Sequence, residues 1–159
     1  MIRQAATALI ALALGSLAVA QAPVPGGAPN VNALPRTAAP AGAKVYIVSP
    51  KDGETVKNPF TVVFGLAGMG VAPAGMQMEN TGHHHLLIDV NDPIDPKEPI
   101  LQDKSHLHFG AGQTETLLEL PPGTHTLQLV LGDARHYPFE PPIVSEKITI
   151  RVRQPATAR

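Results

Sequence analysis

The sequence predicts an all-β fold, an antiparallel sandwich of about seven strands, on three observations. Between residues 44 and 153 apolar residues recur with period two, the alternation of a half-buried strand. Turn residues (Pro, Gly, Asn, Asp) punctuate these runs at short intervals. No segment carries an apolar stripe of helical period. A domain spanning 44–153 also has the length of a two-sheet sandwich.

The strands follow in order. Residues 44–48 (KVYIV) form the first, and SPKDG turns the chain. Residues 60–66 (FTVVFGL) form the second and residues 83–90 (HHHLLIDV) the third, broken by Asn91-Asp92-Pro93. A short fourth strand is predicted near Ile100 and Leu101. Residues 114–120 (TETLLEL) form the fifth, ended by Pro121-Pro122-Gly123. Residues 124–131 (THTLQLVL) and 144–152 (VSEKITIRV) complete the set. Two places resemble immunoglobulin-like and fibronectin-type sandwiches. SPKDGETV resembles the bend between the first two strands. LPPGTHTLQLVLGD resembles the corner before the sixth, where such folds often place a tyrosine and this chain has His125.

Ahead of the domain, residues 1–20 read as a signal peptide. Arg3 supplies the positive region, residues 5–17 an apolar run too short for a stable span, and Ala18-Val19-Ala20 a small-x-small cleavage site. The mature chain is expected in the periplasm or secreted, with no integral membrane segment left after cleavage. Residues 21–43 follow; fifteen of these 23 are Ala, Pro or Gly, the composition of a disordered tether. Residues 154–159 read as a frayed tail. The 159 residues include 12 Lys or Arg against 13 Asp or Glu, a formal charge of −1, which argues against nucleic acid as a partner. Without cysteine there is neither a disulfide frame nor a thiolate nucleophile or ligand.

All seven histidines fall between residues 83 and 136. Alternating strands would bring six of them to one pole: His83, His84 and His85 opening the third strand, His106 and His108 before the fifth, and His136 after the sixth. His125 falls at the other, where it is read as a structural residue that packs inward and hydrogen-bonds loop backbone. Residues i and i+2 of an extended segment share a face, so His83 pairs with His85 and His106 with His108, whereas His84 turns toward the core. Imidazole suits Zn, Cu, Fe or Ni, and methionine thioether favours Cu(I). The primary ligand set is therefore His83, His85, His106, His108 and His136. His84, Met76, Met78 and Glu115 form a weaker second tier. Met69 is read as a gap-filler.

The segments GMGVAPAG, NTGHHHLLID, HFGAGQTE, PPGTHTLQLVLGD and SEKITI together resemble the bacterial domain-of-unknown-function family 4399, over nearly the whole of 45–152. The resemblance implies an exported, histidine-rich small domain without an assigned activity. It maps the family pattern onto His83, His84, His85, His106, His108, Gln113, Glu115, His125 and His136.

Three classes of function follow. The first is an exported metal-binding module that holds, stores or delivers copper, with zinc as the alternative ion and a periplasmic protein as a further partner. The second is a non-catalytic structural or interaction domain whose histidines brace loops. The third is a metal-dependent hydrolase or a dismutase-like enzyme. An H-x-H pair, a third histidine and an FG step are similar to copper–zinc superoxide dismutase. The order and spacing differ, however, and the cysteine pair is missing; no Gly-x-Ser-x-Gly turn supports serine chemistry. An enzyme is the reading with least support.

Overall fold

The computed structural model describes residues 35–153. The signal peptide, most of the tether and the C-terminal tail expected above lie outside those residues. The described part is all-β, without a helix, and has nine strands rather than seven.

Strands β1 (Lys44–Ser49), β3 (Phe60–Ala67) and β7 (Glu115–Leu118) make a three-stranded antiparallel sheet in the order β1-β3-β7. The second sheet runs β2 (Thr55–Val56), β9 (Ile148–Val152), β8 (Gly123–Gly132), β5 (Thr81–Ile88) and β4 (Gly70–Val71). Strand β6 (His106–Phe109) also pairs with β5. The purely antiparallel expectation is corrected here: β2 runs parallel to β9 and β4 parallel to β5. Each of these parallel strands has only two residues. They patch sheet edges, and so short a segment leaves no period-two signal to read. The strand expected at Ile100 and Leu101 is absent, and the fourth long-range partner is β6 instead.

Period-two side chains explain how the sheets meet. Val45, Phe60, Val62, Phe64 and Leu118 from the smaller sheet pack against Leu86, Ile88, Leu127, Leu129, Leu131 and Ile150 from the larger. Burying one such side chain contributes about 1.5–3 kcal/mol. Strand β5 departs from simple alternation, because every residue from Gly82 to Ile88 is buried. His84, Leu86 and Ile88 face the inter-sheet core. Leu87, on the opposite face, packs with Ile100 and Val130 in a second apolar cluster. Loops therefore cover the outer face of β5, and that cover positions the histidines.

Residues 35–43, read as the end of the tether, pack on the domain. Ala38 bridges Glu140, and Thr37 Oγ1 donates to Asp133 Oδ2 at 2.7 Å. Arg36 pairs with Glu140. The domain thus begins before Lys44, since two polar side chains anchor a stretch whose composition alone carries no such signal.

Candidate metal centre

The larger sheet brings four imidazoles together by register. On antiparallel strands, residues directly opposite share a face. His85 of β5 lies opposite His108 of β6, and His83 lies opposite Gly132 of β8. Gly132 leads into the turn that carries His136. The ends of β6 and β8 therefore meet the beginning of β5. Centroid separations among the rings of His83, His85, His108 and His136 run from 4.7 to 6.0 Å. His85 Nε2 lies 3.1 Å from His83 Nε2, and His136 Nε2 lies 3.2 Å from His108 Nε2. One ring nitrogen from each of His83, His85 and His108 lies within 4.8 Å of the other two.

Two glycines make the room. A Cβ on Gly132 would sit 2.9 Å from His85 Nε2 and 3.4 Å from His83 Nε2. A Cβ on Gly110 would sit 2.3 Å from His108 Cε1. His136 rides on a turn held by Asp133, whose carboxylate accepts the backbone N–H groups of Arg135 and Tyr137 at 2.8 and 3.0 Å. His136 itself has φ +70°, a conformation that costs a non-glycine residue energy and that must be imposed by its surroundings. Its carbonyl accepts the N–H of Ile100 at 2.8 Å, tying this turn to the loop over the outer face.

Electrostatics disfavour protonation of His83, His85 and His108. His83 is pushed down from 6.5 to about 4 by burial and then by the neighbouring His136 and His108. His85 is pushed down to about 2 by burial and by His83 and His108. His108 is lowered by burial and by His136. Neutral imidazole, with a free lone pair, is the form that binds a metal. His83 Nδ1 and His85 Nδ1 are buried with no hydrogen-bond partner. Each such orphan costs about 1–3 kcal/mol, and neither ring braces a loop through its Nδ1.

The remaining candidates separate from this group. His106 stands apart from it: it lies opposite Leu87, two pairs further along β5, and its Nδ1 bonds Asp103 Oδ1 at 2.9 Å. His84 shares the end of the sheet but not the face. It stacks at 5.2 Å on Phe64 in the core, and its Nδ1 bonds the Gln113 carbonyl at 3.2 Å. Glu115 is exposed on β7, opposite Val63 in the other sheet, away from the imidazole group. Met76 and Met78 are exposed on the loop after β4, outside the imidazole group. Met69 packs against the core. His125 sits at the far end of β8, its Nδ1 bonded to Asp89 Oδ2 at 2.7 Å and its Nε2 to the Pro121 carbonyl at 2.8 Å, a bracing role. Sequence reasoning missed the part that Gly110 and Gly132 play in leaving room for the rings. A glycine closing a strand beside a histidine cluster is the signal that could have found them.

Residues 62–153, more than half of the chain, match the family Domain of unknown function (DUF4399), and the chain belongs to that family. No curated protein matches it. Among solved structures, the endo-beta-1,4-mannanase from Thermotoga petrophila is similar at 16% identity and a TM-score of 0.40. The similarity covers 71% of this chain and 20% of the mannanase chain.

Proposed function

We propose that the protein is an exported metal-binding module, built on an immunoglobulin-like variant of the two-sheet sandwich, that holds copper for storage or delivery. His83, His85 and His108 are the ligands, and His136 closes the set. The observation that carries this reading is the convergence of one ring nitrogen from each of three histidines within 4.8 Å, beside two glycines whose missing side chains leave the rings their room. Metal–nitrogen bonds of about 2.0–2.1 Å in a tetrahedral set place ligand nitrogens roughly 3.3 Å apart. The closest pairs, at 3.1 and 3.2 Å, need little adjustment. A second reading, an imidazole cluster held only by ring-to-ring hydrogen bonds, accounts for the two short Nε2 contacts and leaves both buried Nδ1 atoms unpaired, as ligation through Nε2 also would, so metal titration is what separates the two. Imidazole alone does not separate copper from zinc; the two exposed thioethers on the loop after β4 tilt the choice to copper.

Competition titrations of the folded domain with Cu(II), Cu(I) and Zn(II) test the reading. The expected result is one ion per chain, bound equally by wild type and H106A. The H108A/H136A variant, which changes two half-buried rings, weakens binding about a hundredfold. Equal affinity in all three proteins refutes it.

A further inference from the structure

We propose that the hollow rimmed by Met76 and Met78 is a Cu(I) station that loads the imidazole cluster. The proposal deepens the metal-binding reading and rests on it.

Met76 and Met78 are 49% and 56% exposed, whereas Met69 packs on the core. Apolar packing therefore accounts for Met69 but not for the other two. Together with Glu79, Thr81, Asp133 and Arg135 they line a hollow of about 440 Å³. Their loop is anchored at three points, each two residues from a cluster histidine. Thr81 Oγ1 donates to the Met78 carbonyl at 2.9 Å, and Thr81 precedes His83 by two positions. Ala74 N–H donates to the Gly110 carbonyl at 2.9 Å, two positions after His108. Gly75 N–H donates to the Ala134 carbonyl at 2.9 Å, two positions before His136. The loop thus spans the three segments that deliver the ligands.

Thioether sulfur is neutral and soft; it takes Cu(I) and discriminates against Zn(II). With no cysteine in the chain, methionine is its sole soft ligand. Transfer is a ligand exchange: a copper–sulfur bond breaks as a copper–imidazole bond forms, and copper stays Cu(I) throughout.

Anaerobic loading from a chromogenic Cu(I) chelator, with X-ray absorption at the copper edge, tests the station. Both methionines are exposed, so M76L/M78L leaves the fold unaltered. It is expected to load Cu(I) at least roughly tenfold more slowly while Zn(II) affinity is unchanged. Copper on H108A/H136A is expected to show sulfur scattering. Loading of M76L/M78L at the wild-type rate, with nitrogen ligands only, overturns the station and leaves the histidine site standing. Copper that shows sulfur scattering in wild type and is unaffected by H108A/H136A overturns the histidine reading, and the transfer with it.

Discussion

At the scale of residues, two missing side chains matter as much as the imidazoles present. Gly132→Ala would drive a methyl group into the rings of His83 and His85, both fully buried and unable to swing away. Overpacking of this kind costs about 1–3 kcal/mol. The expected outcome is a lower urea midpoint together with weaker metal binding; unchanged binding would show that the rings are not confined as described. Protonation gives a second test. Because His83 and His85 titrate below their unfolded value of 6.5, the unfolded chain binds more protons than the folded one in acid. Stability of the metal-free protein should therefore fall as pH drops from about 6.5 toward 4. His85→Leu should flatten that slope, as read by urea unfolding at a series of pH values. His125 runs the other way. Burial lowers it, but Asp89 and the Pro121 carbonyl raise it overall. Its stabilising share is complete below 6.5 and is lost as pH rises past its own folded value.

At the scale of elements, the two ends of the β5–β8 pair do different work. One end carries the imidazole cluster. At the other, Asp89 follows β5 with φ +56° and accepts the Thr126 N–H at 2.8 Å as well as bonding His125. Asp89→Ala removes both bonds and leaves a non-glycine residue in a left-handed conformation. The expected loss is about 1–3 kcal/mol in stability, with metal affinity intact because the cluster lies at the opposite end. A parallel loss of metal binding would show the two ends to be coupled. The same strands show what the sequence revealed. The H-x-H spacing at 83 and 85 reported a shared face, and the long alternating runs of β1, β3 and β8 reported their strands. His106 and His108 also share a face. The spacing was silent on where β6 registers against β5, and that register leaves His106 beside Leu87. Tight pairing of two-residue strands and the loop cover over β5 arise from tertiary contacts and leave no periodic trace.

At the scale of the whole molecule, a bound ion would tie together β5, β6 and the turn after β8. Binding to the folded state alone stabilises it by about 2.7 kcal/mol at a free-metal concentration a hundred times Kd. Thermal unfolding with and without metal should show that gain in wild type and lose it in H108A/H136A. The most direct test is anomalous diffraction from crystals soaked in copper, with data on both sides of the copper edge. The account predicts one dominant peak within bonding distance of ring nitrogens of His83, His85 and His108. A dominant peak at His106 or His125, with none at the cluster, would contradict it.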